Sequence, residues 1–161
     1  DAAAHALEHL RAFDGRGVAT RVAAPFGQFL LVDDSYNANP ASMAAAFSTL
    51  GARKPAGGGR RIAALGDMLE LGPEEQAYHS GLATPLQEAG VDLVFAAGPR
   101  MAALMEALPP NLRGGYAETA DALIPVIAGS LQAGDIVLVK GSNGSKMSRV
   151  VAALSRLGGD N

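Results

Sequence analysis

The sequence contains no cysteine among its 161 residues. This absence excludes disulfides, thiolate metal sites and cysteine nucleophiles. No apolar run approaches the roughly 20 residues of a membrane-spanning helix, and the N-terminus lacks the basic and then apolar pattern of a signal peptide. We therefore expect a cytoplasmic protein that does not bind membranes.

Clusters of basic residues are also missing. The 13 Lys and Arg residues are scattered, and the 16 Asp and Glu residues give a formal net charge of −3. Nucleic-acid-binding domains need a basic patch to contact phosphates. The charge pattern thus argues against a nucleic-acid partner and favours small molecules or proteins.

The length and composition favour one packed domain with a short appendage. Hydrophobic residues make up 48% of the chain and charged residues 18%, which is typical of a soluble globular protein. The chain begins at Asp1 and already has a helical pattern over its first 13 residues. We interpret it as part of a longer protein.

Short apolar segments alternate with helical patterns along the chain. "VATRVA" and "GQFLLVDD" predict a β-hairpin, and "RIAAL", "VDLVFAA" and "DIVLVK" predict buried strands, each followed by a glycine-containing loop and a helix. This rhythm is typical of a parallel sheet covered by helices on both faces. We therefore predict an α/β fold of three layers, α/β/α, with a mostly parallel sheet.

The loops that follow these strands contain nearly all of the unusual polar residues. They are "DDSYNANP", "GDMLELGP", "AAGPR" and "KGSNGSK". In a parallel sheet such loops lie along one edge, where ligands bind. The sequence thus predicts a binding site at that edge.

The first of these loops has more polar chemistry than a helix start requires. Asn39 as N-cap and Pro40 at the first helical position explain the start of a helix. They leave Asp34, Tyr36 and Asn37 unexplained. A carboxylate can accept ribose hydroxyls, and an amide beside an aromatic ring can read and stack on a purine. A nucleotide contact is one interpretation, and helix capping alone is the other.

The loop "KGSNGSK" does not have the spacing of a phosphate-binding Walker A loop. Its glycines expose backbone N–H groups at a helix start between Lys140 and Lys146, which suits a carboxylate or a phosphate. In "GDMLELG", Asp67 at a strand end can face the ligand edge, or the loop can simply cover the core with Leu69 and Leu71. Both interpretations of that loop remain open.

Histidines offer little catalytic chemistry. His5 and His9 have the spacing of a helical metal pair but no third ligand nearby, so we expect no metal site. His79 is interpreted as a surface or helix-packing residue. No nucleophile or general base can be assembled, so the pattern predicts binding and no catalytic residue in this chain.

Three motifs together resemble one family. "LVDDSYNANPASM", "ALGDMLELG" with His79 downstream, and "VLVKGSNGSKMSRVV" are similar in order and spacing to the C-terminal part of Mur ligases, specifically those that add D-alanyl-D-alanine. The resemblance covers essentially the whole chain. It implies a Rossmann-like C-terminal domain over residues 35–161, preceded over residues 1–34 by the tail of a central ATPase domain.

The resemblance also implies an activity. These enzymes are ATP-dependent acid–D-amino-acid ligases of peptidoglycan synthesis, which join D-alanyl-D-alanine to UDP-N-acetylmuramoyl-tripeptide through an acyl phosphate. The phosphate loop and the Mg²⁺ ligands belong to the central domain, so this part alone is expected to be inactive. A monomer is expected.

Individual roles follow from the same resemblance. It assigns Arg16, Asp34, Tyr36 and Asn37 to the nucleotide. On the D-alanyl-D-alanine side it places Asp67, Lys140, Gly141, Ser142, Asn143 and Lys146. Asn143 replaces an arginine found in many members, so Lys140 and Lys146 are the remaining candidates to anchor the acceptor carboxylate.

Two alternatives to this function remain open. One is a free-standing Rossmann-like module that binds a small molecule without a reaction of its own. The other is a different amide ligase of the Mur and folylpolyglutamate synthase group, such as the diaminopimelate-adding enzyme, whose arginine-containing motif is absent from this sequence.

Overall fold

The structure, a computed structural model, describes residues 17–159. The helix predicted near the N-terminus and Arg16 lie outside this range. The strands are β1 (Val18–Ala24), β2 (Gly27–Asp34), β3 (Arg61–Gly66), β4 (Leu93–Ala97), β5 (Arg113–Ala117) and β6 (Ile136–Lys140). The α-helices in the described range are α1 (Pro40–Ala52), α2 (Glu75–Ser80), α3 (Ala83–Glu88), α4 (Ala102–Ala107), α5 (Ala120–Ala128) and α6 (Ser148–Ser155).

The strands form one mixed sheet in the order β1-β2-β6-β3-β4-β5. β1 and β2 are the predicted antiparallel hairpin, and all the other neighbouring strands are parallel. β2 pairs with β6 from Leu30 opposite Ile136 to Asp34 opposite Lys140. The hairpin, which the resemblance assigned to the end of a preceding domain, is thus continuous with the rest of the sheet.

Helices cover both faces of the sheet, which confirms the predicted three-layer α/β fold. On one face the buried side chains include Phe47 of α1 and Leu104 of α4. On the other face they include Leu123 of α5 and Leu154 of α6. Burial of each such side chain contributes about 1.5–3 kcal/mol, so the two cores hold the strand ends and their loops in fixed positions.

The start of α1 follows the capping chemistry expected from the sequence. Asn39 Oδ1 accepts a hydrogen bond from Ser42 N at 2.8 Å, and Ser42 Oγ accepts one from Asn39 N at 3.0 Å. Pro40 occupies the first helical position, where its missing N–H is not needed. This capping box fixes where the loop after β2 ends and the helix begins.

The sequence "PEEQAYHSGLATPLQ", with acidic residues directly after Pro73, predicts one helix, which the structure divides into three parts. A 3₁₀ turn over Gly72–Glu74 precedes α2, and the chain bends again before α3. The spacing of Tyr78, Leu82 and Leu86 predicts that they share one helix side, but Tyr78 is 42% exposed, whereas Leu82, Leu86 and His79 are buried. The helix is interrupted between Ser80 and Ala83, so Tyr78 does not share a continuous helix face with the buried leucines of the next segment.

None of the helices within residues 17–159 is long and apolar enough to cross a bilayer.

Candidate functional site

The loops after β2, β3, β4 and β6 meet at the carboxyl edge of the sheet, as the strand pairing requires. We call them the β2 loop (35–39), the β3 loop (67–71), the β4 loop (98–101) and the β6 loop (141–147). Gly66 and Gly141 lie side by side there, because a Cβ built on Gly141 would be 3.0 Å from Gly66 Cα. The strands that follow β3 in the chain, β4 and β5, are added on one side of β3, whereas β6 lies on its other side. Such a reversal of strand order is where open α/β sheets bind ligands.

Lys140 joins the β2 loop to the end of β6. Its side chain is 4% exposed, and Nζ donates to Asp34 Oδ2 at 2.9 Å and to the Asn37 carbonyl oxygen at 3.1 Å. The resemblance assigned Asp34 and Asn37 to the nucleotide and Lys140 to the acceptor. The structure brings these two groups into direct contact.

Ser142 joins the β6 loop to its two neighbours. Its Oγ accepts from Leu69 N at 2.9 Å and donates to the Ala38 carbonyl oxygen at 3.4 Å. Its backbone N–H donates to the Asp67 carbonyl oxygen at 3.1 Å. One buried serine therefore contacts both the β2 loop and the β3 loop.

Asp67 is 3% exposed, and its carboxylate is engaged with the β4 loop. Oδ1 accepts from Met101 N at 3.0 Å, and Oδ2 accepts from Arg100 N at 3.3 Å and Arg100 Nη1 at 3.1 Å. Gly98 makes this approach possible, since a Cβ there would collide with the Asp67 carboxylate. The side chain thus fixes the β4 loop against the β3 loop.

Arg100 is a site residue that sequence reasoning missed. Its Nε donates to Glu75 Oε2 at 2.6 Å, in addition to the Asp67 contact. The hydrogen bonds to Glu75 and then to Asp67 raise the pKa of Arg100 above its ordinary value. A loop arginine after Gly-Pro gives no local signal for such partners, which lie 25 and 33 residues earlier in the chain.

His79 braces the β3 loop from α2. Its Nε2 lies 3.0 Å from Met68 N, and its Nδ1 lies 2.7 Å from the Glu75 carbonyl oxygen. A backbone N–H can only donate and a carbonyl can only accept, so the ring is neutral with its proton on Nδ1. The buried histidine has a structural role that fits the interpretation as a helix-packing residue.

A cleft of about 350 Å³ lies between α1 and the ends of β2 and β6, and we call it the α1 cleft. Gly17, Asp34, Arg53 and Lys140 contribute polar groups, and Val32, Leu50 and Leu138 are among its apolar walls. Within residues 17–159 the Asp34 carboxylate has Lys140 as its hydrogen-bond partner, through Oδ2. Its Oδ1 can therefore accept a hydrogen bond from a ligand.

A second cleft of about 410 Å³ opens at the N-terminal end of α5, and we call it the α5 cleft. Its polar lining includes Asp67, Arg100, Thr119, Lys146 and Arg149. Two of its cations are paired: Arg100 as described, and Arg149 with Asp121 at 2.7 Å. Lys146 makes no ion pair or side-chain hydrogen bond to any residue in the described range. The backbone of Lys146 is in the left-handed region, with φ of 62°.

The remaining predicted residues are distributed around the edge. Tyr36 is 47% exposed, and Asn37 and Asn143 are also exposed. Gly141 is buried against Ser145 and Met147. No group of three or more His, Asp or Glu side chains within residues 17–159 is placed to hold a metal ion.

A family model and curated relatives all match this chain to the same family, the Mur ligases. Residues 19–143 match the model of the family described as Mur ligase, glutamate ligase domain. The UDP-N-acetylmuramoyl-tripeptide–D-alanyl-D-alanine ligase of Escherichia coli is 36% identical over 160 residues, which are 98% of this chain and 33% of that protein. The enzyme of the same name from Haemophilus influenzae is 35% identical over 78% of this chain and 27% of its own length.

Solved structures agree with this assignment. A crystal structure of MurF from Acinetobacter baumannii has a TM-score of 0.73 and 27% identity, over 89% of this chain and 31% of that one. The MurF ligase of Thermotoga maritima, solved in complex with ADP, has the same fold at a TM-score of 0.71 and 23% identity, over 89% of this chain and 31% of that one. The chain spans between about a quarter and a third of the length of the curated relatives it matches. On this evidence the chain belongs to the Mur ligase family and contains that family's C-terminal domain.

Proposed function

We propose that this chain is the C-terminal domain of an ATP-dependent ligase that adds D-alanyl-D-alanine to UDP-N-acetylmuramoyl-tripeptide. One geometric observation carries the proposal. Among residues 17–159, Asp34 Oδ1 in the α1 cleft and Lys146 Nζ in the α5 cleft have no hydrogen-bond partner, and both lie at the same edge of the sheet. Two separate clefts, one with an available carboxylate oxygen and one with an available ammonium group, suit two different ligands, a nucleotide and an amino-acid acceptor.

On the nucleotide side, Asp34 Oδ1 accepts a ribose hydroxyl. The apolar walls of the α1 cleft, with Val32 and Leu138, pack against the nucleoside. Tyr36 and Asn37 follow Asp34 in the β2 loop and are exposed, so they can contact the base. The resemblance assigns Arg16 to the nucleotide as well. No group of three or more acidic or histidine side chains within residues 17–159 could hold Mg²⁺. The resemblance places the Mg²⁺ ligands in the central ATPase domain.

On the acceptor side, a dipeptide has a carboxylate to anchor and an amine that must stay available for attack on the activated substrate. Lys146 supplies the anchoring charge, supported by Arg149 and the N-terminal end of α5. Lys140 neutralises Asp34 instead of binding the acceptor directly. Asp67, Gly141 and Ser142 are buried, so they shape the loops beside the acceptor, and Asn143 stays exposed beside them.

The assignment of the two clefts predicts opposite kinetic effects in the full-length enzyme. Asp34→Asn keeps an acceptor for Lys140 but removes the charge that binds the ribose. The loss of one charge-assisted hydrogen bond, about 1.5 kcal/mol, should raise the KM for ATP about tenfold and leave that for D-alanyl-D-alanine within about twofold. Lys146→Ala should show the reverse pattern. Steady-state kinetics with each substrate varied in turn measures both.

The two variants serve as controls for each other, because both alter one charged residue at the same sheet edge. An unchanged KM for ATP in Asp34→Asn would show that Asp34 does not bind the ribose. An unchanged dipeptide KM in Lys146→Ala would place the acceptor carboxylate elsewhere.

A further inference from the structure

We propose that Ser142 is a positioning residue for ligation, which holds the β3 loop in register with the β2 loop so that the acceptor meets the activated carboxylate. The inference rests on the proposed function. It concerns a residue that acts through its neighbours, since Ser142 is 6% exposed.

The hydroxyl of Ser142 has no hydrogen atom left for a substrate. It donates to the Ala38 carbonyl oxygen and accepts from Leu69 N, as described above. The Ser142 carbonyl oxygen accepts from Ser145 N at 2.8 Å and from Ser145 Oγ at 2.6 Å. Its backbone N–H donates to the Asp67 carbonyl oxygen. Every polar atom of Ser142 therefore has a partner in the β2, β3 or β6 loop.

The β3 loop depends on this contact for its position. Two successive N–H groups of the loop are held by side chains: Met68 N by His79, and Leu69 N by Ser142. The next residue, Glu70, has a left-handed backbone with φ of 61°. Non-glycine residues adopt this conformation when surrounding contacts enforce it. Loss of the hydrogen bond to Leu69 N therefore removes a contact that holds the β3 loop directly before the left-handed residue Glu70.

A displaced β3 loop would change the shape of the α5 cleft. Leu69 lines that cleft together with Asp67 and Lys146. The contact to Leu69 is shorter, at 2.9 Å, than the 3.4 Å contact to Ala38 in the β2 loop. Removal of the hydroxyl should thus disturb the acceptor side more than the nucleotide side. A misplacement of about 1 Å can lower a rate about a hundredfold.

Kinetics of the full-length enzyme test the inference. In Ser142→Ala we expect kcat/KM for D-alanyl-D-alanine to fall at least about tenfold, with the KM for ATP within about threefold of wild type. Ser142→Thr keeps the hydroxyl and should recover most of the activity. If Ser142→Ala does not fold, Ser142→Cys replaces the hydroxyl by a weakly hydrogen-bonding thiol of similar size.

Val137→Ala is the matched stability control. Val137 is fully buried in β6, three residues before Lys140, and belongs to the core on the α5 and α6 side of the sheet. It should lower stability without a selective change in the dipeptide KM. A Ser142→Ala enzyme with the same kinetic pattern as Val137→Ala would overturn the positioning role.

Hydrogen exchange in this chain gives a readout that does not depend on activity. In Ser142→Ala the Leu69 amide should exchange at least about tenfold faster, while the Met68 amide, held by His79, keeps its rate. An unchanged Leu69 amide overturns the inference. If the wild-type enzyme is active and Ser142→Ala has the same kcat/KM for the dipeptide, only this inference is overturned. If the wild-type enzyme does not use the dipeptide, the proposed function is overturned.

Discussion

Replacement of Lys140 by methionine should destabilise the chain by about 3 kcal/mol. Methionine keeps most of the apolar stem but removes the ammonium group that neutralises Asp34. The Lys140 side chain is 4% exposed and that of Asp34 22%, so the remaining carboxylate would be a largely buried charge without its partner. Removal of one member of a buried ion pair typically costs about 3–5 kcal/mol, and the partial exposure of Asp34 favours the lower end.

Urea unfolding of four proteins measures this cost: wild type, Lys140→Met, Asp34→Asn and the double variant. Because the double variant has no unpaired charge, it should lose less stability than the sum of the single variants. A loss below about 1 kcal/mol in Lys140→Met, or strict additivity, would mean that the pair contributes little to the fold.

Asp135→Ala should have an equally large effect at the opposite, amino edge of the sheet. The Asp135 side chain is fully buried, and its oxygens accept from Arg60 N at 2.9 Å, Arg60 Nη2 at 2.8 Å and Gln132 N at 2.8 Å. The same hydrogen bond to Asp135 is the main reason that the pKa of Arg60 is raised. Alanine would leave the backbone N–H groups of Arg60 and Gln132 without an acceptor and would remove the carboxylate that pairs with the Arg60 guanidinium, which still donates to the Ser130 carbonyl oxygen. We expect a cost of about 3–5 kcal/mol.

Asp121→Ala is the control for this change. Asp121 also pairs with an arginine, Arg149, but both side chains are 58% exposed. Exposed pairs contribute about 0–1 kcal/mol, so Asp121→Ala should leave the denaturation midpoint almost unchanged. Similar losses in both variants would contradict the assigned role of burial.

Local chemistry made the framework of the fold predictable. The hairpin around Phe26 and Gly27, the cap of α1 at Asn39 and the strands that became β3, β4 and β6 each have a signal within a few residues. Their shared edge follows from parallel pairing alone. The sequence therefore indicates which loops meet at the carboxyl edge of the sheet.

Contacts between distant residues were not predictable in this way. Lys140 and Asp34 are separated by 106 positions, and Arg60 and Asp135 by 75. Neither pair leaves a local pattern. As a result, the sequence could identify Lys140 as an unusual strand-end cation but not that Asp34 engages it.

The misplaced face of α2 has a different cause. The pattern from Tyr78 to Leu86 has helical spacing, but the break between α2, which ends at Ser80, and α3, which begins at Ala83, interrupts it. His79 then faces the interior and binds Met68 N. A periodicity argument assumes one continuous helix, and here short segments replace it.

Ligation by the full-length enzyme tests the central claim most directly. Purified enzyme is incubated with ATP, UDP-N-acetylmuramoyl-tripeptide and D-alanyl-D-alanine, and the products are identified by mass spectrometry. A parallel reaction offers diaminopimelate with the corresponding dipeptide substrate. We expect the tripeptide extended by D-alanyl-D-alanine together with ADP and phosphate in the first reaction, and no ligation in the second. Extension by diaminopimelate, or no product with D-alanyl-D-alanine, would contradict the proposed function.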